Sequence, residues 1–225
     1  MLAIPESVYN GATYLNTLSR EATDKFIEVT HEAYQRHCGD RMGTTIKGIF
    51  TDEPHNGHLL DDLGRNGNLR TCSIRFTEDI FEEFKKRYGY DALPLLPELF
   101  YKKAGAELVR VKHDYVDLGN ALFLERFIGP MNDWSEEHNM QLTGHVLHED
   151  FLSSQTVPQG SLMRTYEYMG LPGVDVLFKG NDRHWIVKQL ASSCRQLGKT
   201  RLLSELYGCT SWEFDFKGHK AMGDW

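Results

Sequence analysis

The 225-residue sequence predicts an α/β fold in which a parallel sheet is covered by helices. Three observations carry this expectation. Short apolar, β-branched runs alternate with stretches of helical period along the whole chain. The runs read as strands buried on both faces, which is the pattern of parallel sheets. Polar, ionisable residues recur where these runs end. Strands joined by helical crossovers fit an open doubly wound sheet or a closed barrel equally well.

The elements follow in order. From Arg20 to Gln35, Ala22, Phe26, Val29 and Ala33 recur at helical spacing, with Thr17 and Ser19 as N-cap candidates. Thr45 to Thr51 is a β-branched strand that runs into Asp52-Glu53-Pro54, and the proline is expected to keep Glu53 extended. His55 to Phe76 is rich in glycine and asparagine, contains His55 and His58, and reads as a long binding loop. A helix follows from Glu78 to Arg87, then a proline-punctuated connector from Leu93 to Phe100. Leu108, Val111, Tyr115, Leu118 and Leu122 mark a long helix from Ala106 to about Glu137, kinked or broken near Gly129-Pro130. Met140 to Val146 and Gly173 to Phe178 are strands, Trp185 to Leu197 is a helix stopped by Gly198, and Thr200 to Leu206 is a further strand.

Composition narrows the function. With 40% hydrophobic and 12% aromatic residues the chain can bury a sizeable core, which excludes a disordered protein. Lys and Arg number 25 against 32 Asp and Glu, a net charge of -7 without basic clusters, so no nucleic-acid partner is expected. No apolar run approaches the roughly 18 residues of a membrane-spanning helix, and no secretory signal pattern opens the sequence. Cys38, Cys72, Cys194 and Cys209 lack metal-type spacing and read as free thiols.

Ionisable residues close at least three strands: Asp52 and Glu53, then His145 with Glu149 nearby, then Glu205. Two carboxylates facing one cleft suit glycosidic bond cleavage, where one protonates the leaving oxygen and the other attacks the anomeric carbon or activates water. Tyr166, Tyr168, Tyr207 and Trp212 would supply faces and donors for sugar rings, and Asp52, His55, His145 and Glu149 would bind hydroxyls. No cofactor is expected. Two other classes stay open. A metal-dependent hydrolase would use His145, His148 and Glu149 or Asp52 as ligands. A non-catalytic carbohydrate-binding domain would keep the aromatics without needing both glutamates.

Gly48-Ile49-Phe50-Thr51-Asp52-Glu53-Pro54 resembles the strand-four motif of retaining TIM-barrel glycoside hydrolases, where the Glu before Pro is the acid/base. Asp52 stands where their commonest pattern has Asn. Ser204-Glu205-Leu206-Tyr207-Gly208 resembles their strand-seven end, where the Glu is the nucleophile. Phe84 to Tyr90 resembles their helix after strand four. The segments Thr143 to Glu149 and Ser204 to Thr210 are similar to bacterial glycosyl hydrolases loosely grouped with α-L-rhamnosidase-like proteins.

The resemblance implies that Glu53 is the general acid/base, Glu205 the nucleophile, and the chain a partial (β/α)8 barrel of strands four to seven with their helices. A whole barrel typically takes about 250 residues. On this reading residues 1–225 form a single incomplete catalytic domain, an internal piece of a longer enzyme. Unpaired edges at strands four and seven would then invite self-association, poor solubility and little activity of the piece alone.

Overall fold

The computed structural model describes residues 13–56, 74–100, 109–156, 159–180 and 183–224. Strands β1 (Gly48–Thr51), β2 (Gln141–Gly144), β3 (Leu171–Val176) and β4 (Leu203–Leu206) form one parallel sheet in the order β1-β2-β3-β4. Each crossover carries helix, as the alternation predicted. All four predicted strands are present in sequence order, each shorter than or shifted from its expected bounds.

The first predicted helix is two: α1 (Arg20–Val29) and α2 (His31–Cys38). Ser19 caps α1 by accepting from the Ala22 amide. The break falls at Thr30, whose hydroxyl donates back to the Phe26 carbonyl at 2.6 Å. Such back-bonding by a β-branched residue bends a helix. Thr17 does not cap; its hydroxyl donates to the His55 carbonyl and ties the start of α1 to the loop after β1.

Helix α3 (Ile80–Tyr88) ends at Gly89, which sits at φ +77 and caps Lys85. The connector is a 3₁₀ turn (Leu93–Leu95) leading into α4 (Leu96–Phe100). Among the described residues the long helix runs as α5 (Arg110–Phe123), a π turn (Leu124–Ile128) and α6 (Gly129–Glu137). Pro130 has no N–H and its ring crowds the preceding turn, and the wider π spacing directly before it makes the room. Arg126 on this turn grips Asp79 with two hydrogen bonds of 2.9 and 2.7 Å.

Two short helices between β2 and β3, α7 (Leu152–Thr156) and α8 (Leu162–Glu167), and the C-terminal α10 (Phe216–Asp224) were not predicted from the sequence. Helix α9 (His184–Gln196) matches its expectation.

Helices α6 and α9 pack on β2 and β3, and α3 packs on α5. Leu142, Val174 and Val176 point from the sheet into a core built with Phe84, Tyr115, Leu118, Leu122, Phe123, Ile128 and Leu190. The strands alternate by parity, so the residues between these apolar ones face the other way. Phe50, Asp52, Thr143, His145, Asp175 and Glu205 occupy that second face, and Phe50 there is 47% exposed. Parallel strands are usually apolar on both faces. Here one face is apolar and helix-covered, and the other, which also carries Leu171 and Leu203, turns polar toward the C-terminal ends of the strands.

No helix among the described residues is long and apolar enough to cross a membrane. Cys38, Cys194 and Cys209 are free thiols, while Cys72 lies outside the described residues.

Candidate active site

The chain leaves every strand through a left-handed residue that is not glycine: Glu53 (φ +46) after β1, His148 (φ +62) after β2, Phe178 (φ +70) after β3 and Tyr207 (φ +73) after β4. Each such residue costs of order 1–3 kcal/mol, and strain of this kind gathers at functional sites. The expectation that Pro54 keeps Glu53 extended is corrected here. The last ladder bond runs from the His145 amide to the Thr51 carbonyl at 3.3 Å. Released from the sheet and barred by Pro54 from the right-handed basin, Glu53 turns through the left-handed one.

At the centre is His145, 1% exposed. Its Nε2 lies 2.8 Å from Glu205 Oε2 and 3.6 Å from Asp52 Oδ1, and the Phe50 ring meets it edge-on at 5.5 Å. An Nε2–H donating to Glu205 leaves Nδ1 as acceptor, and Nδ1 is buried with no hydrogen-bond partner. Residues on β1, β2 and β4 thus meet at one imidazole. Gly144 makes this possible: at φ +137, a Cβ there would lie 2.0 Å from the Thr51 carbonyl oxygen, so only glycine lets β2 approach β1 directly before His145.

Glu53 is half-buried, and burial raises its carboxyl above the ordinary glutamate value; Asp52 and Glu205 add to the rise, and His145 and His148 oppose it. Glu149 is 5% exposed, and burial pushes its carboxyl well above the usual range, against the hydrogen bond it accepts at 2.6 Å from the Asp175 amide. Its side chain is therefore aimed at β3 and the interior, where it fills a backbone position and does not meet solvent. Asp175, absent from the sequence expectations, is raised to about 6, by burial first, with Glu205, Glu53 and Asp52 adding and His145 opposing. A carboxylate inside an otherwise apolar parallel strand is the signal that would have found it.

The aromatic expectations separate. Tyr166 is fully buried in the core and presents no ring face to a sugar; it comes from α8, which packs against α9 under the sheet. Trp212 is fully exposed in the segment after β4. Tyr207 is half-exposed, its ring between Phe214 and His219 at 6.5 and 4.9 Å. His55 is stacked on Tyr14 at 4.3 Å and faces Arg75, so its ring is engaged in holding the loop after β1. Asn56 and Gln159, both buried, complete that anchor through the Gly119 and Pro54 carbonyls. His58 lies outside the described residues.

For a cation, the trio His145, His148 and Glu149 is not assembled, because Glu149 is taken up by β3. Ligand-capable atoms of Asp52, His145 and Glu205, and of Glu53, His145 and Asp175, do lie within 4.8 Å of one another. Both groups depend on the same imidazole, whose Nε2 already bonds Glu205.

A scan of family models finds no match, and no curated protein matches the chain. Among solved structures, one described as a rhamnosidase from Novosphingobium sp. PP1Y superposes with a TM-score of 0.66 at 19% identity, covering 87% of this chain. The chain spans 18% of that protein's length. The two share a fold over this region, an α/β arrangement with a parallel sheet, and the likeness to a glycoside hydrolase is one of architecture.

Proposed function

We propose that the polar face of this sheet is the catalytic face of a glycoside hydrolase built on a partial (β/α)8 barrel, with Glu53 as general acid/base and Glu205 as nucleophile. One observation carries the reading: carboxyls from the ends of the two outer strands are gathered at His145, one hydrogen-bonded to it and the other beside it. Their environments differ as the two roles require. Burial and like charge favour the protonated form of Glu53, which suits it to donate to a glycosidic oxygen. Glu205 is held by the His145 N–H, which fixes the direction of its free oxygen. Asp52, on the exposed side, would accept from a sugar hydroxyl, and Tyr207, two residues beyond Glu205, and the exposed Trp212 would offer ring faces. The architectural likeness to a rhamnosidase makes rhamnosides the first substrates to try, and the sequence resemblance suggests the α-L configuration.

The test uses the full-length protein on a panel of aryl glycosides that includes α-L-rhamnosides, with product configuration followed by NMR. Turnover with retained configuration, lost in Glu53→Gln and Glu205→Gln, supports the reading. Inverted product would reassign Glu205 as the base that activates water. Turnover unchanged in both variants would remove the carboxylate pair from the chemistry.

A further inference from the structure

Asp175 has a place in this site that the paired-carboxylate reading does not use. Its neighbours on β3, Val174 and Val176, are buried in the core, so Asp175 points to the polar face, and its register partner across the sheet is Glu205. The pairing of β2 with β3 stops at Gly144 and Pro172. Beyond that point the strands part, and the Asp175 amide donates to Glu149 Oε2 at 2.6 Å where a parallel ladder would offer a backbone carbonyl. A buried carboxyl thereby sets the height of Asp175 at the opening of the sheet. The Glu149 backbone is fixed in turn, its carbonyl accepting from Gln155 Nε2 at 2.8 Å.

The Asp175 carboxyl faces Glu53 and His145, with ligand-capable atoms of all three within 4.8 Å of one another. Asp175 Oδ1 is buried and has no hydrogen-bond partner. Among the described residues no side chain donates to the Glu53 carboxyl either. Two carboxyls without donors, facing each other in a site that also holds Asp52, Glu205 and Glu149 against the imidazoles of His145 and His148, are not all favoured in the charged form. A proton held between two of them, directly or through one water, satisfies both.

We propose that Asp175 is a positioning residue for Glu53: the two carboxyls share a hydrogen-bonded proton, and this contact aims the acid toward the glycosidic oxygen. The inference rests on the glycosidase reading for its consequence, but not for the contact itself. The Glu53 backbone that presents this carboxyl is itself left-handed, at φ +46. The rise of the Asp175 carboxyl to about 6 agrees with the arrangement.

The experiment has two arms on the full-length protein. In the first, carboxyl-labelled glutamate and aspartate are followed by ¹³C NMR against pH. Asp175→Asn should lower the Glu53 midpoint by about half a unit or more, and Glu53→Gln should lower that of Asp175 in the same way. Curves that superpose on wild type in both variants overturn the proposal. The second arm is kinetic: Asp175→Asn should reduce kcat about 10- to 100-fold with KM within about twofold, and shift the alkaline limb of the kcat profile to lower pH. A variant with wild-type kcat and profile overturns the positioning role. If the wild type cleaves no glycoside in the panel, the proposed function falls, and the NMR arm still decides whether the two carboxyls are paired.

Discussion

His145 shows what a single buried side chain does here. Nearly without solvent exposure, it gives the carboxyls of β1, β3 and β4 one common neighbour. Three carboxyls in or beneath this cluster, Glu53, Glu149 and Asp175, are raised above their ordinary values, each with burial as the leading cause. A raised carboxyl contributes stability that is complete below its unfolded value and is lost as pH rises through the folded one. For Asp175 that window runs from the ordinary 3.8 to about 6. Asp175 should therefore subtract from stability on going from pH 4 to pH 7, while buried His31, whose value is lowered, works in the opposite direction. Replacing Asp175 with Asn should flatten that decline and stabilise the neutral protein by on the order of 1 kcal/mol once solvent screening is discounted. Urea denaturation of wild type and Asp175→Asn at pH 4.5 and 7.5 checks both statements; a stability difference between the two proteins that does not change with pH would contradict them. The same substitution is expected to slow turnover, so stability and activity part at this residue.

Elements place these residues, and Gly144 is the point where placement is tightest. A methyl group at this position would meet the Thr51 carbonyl, so Gly144→Ala must push β1 from β2 and carry Asp52 and Glu53 away from His145. A loss of about 2–4 kcal/mol in urea denaturation is expected, within the range for overpacking plus backbone strain; a change below about 0.5 kcal/mol would show that the strands are not held so closely. Element order was legible because strand and helix periods differ so plainly in this chain, and the Thr-Asp-Glu-Pro and Ser-Glu-Leu-Tyr runs marked the strand ends. Backbone detail was not legible. Glu53 turns left-handed because the ladder ends at Thr51, a tertiary fact, and Thr30 splits a continuous helical pattern through its own hydroxyl. Asp175 was hidden in the apolar run Gly-Val-Asp-Val-Leu-Phe, whose neighbours suggested a buried strand and nothing more. Glu149 looked like a site carboxylate from its distance to His145 in sequence, yet β3 draws it inward. Tyr166 belongs to α8, a helix too short to leave a periodic signal, and its burial follows from that helix packing beneath the sheet.

In the whole molecule, the helices cover one face of the sheet and leave the polar face and two edges open among the described residues. Both edge strands, β1 and β4, carry a proposed catalytic glutamate at or just beyond their C-terminal ends. Unpaired strand edges template association. The 225-residue chain in isolation should show concentration-dependent self-association in sedimentation velocity, and a single monomeric species from micromolar to near-millimolar concentration would argue that its edges are protected. The core beneath is ordinary by comparison: Leu122→Ala, at a fully buried position, should cost about 2–5 kcal/mol. The packed core thus lies under the helix-covered face, and the proposed chemistry lies on the opposite face, where the strand exits are strained. Glu53 is proposed to deliver a proton to the leaving group, and leaving-group dependence reads this directly. In Glu53→Gln of the full-length protein, kcat/KM for a substrate with a poor, alkyl leaving group should fall by about 10²-fold or more, while a dinitrophenyl glycoside, which needs no protonation, should lose less than about tenfold. Equal losses on both substrates, or none on either, would contradict the assignment of Glu53 as the acid.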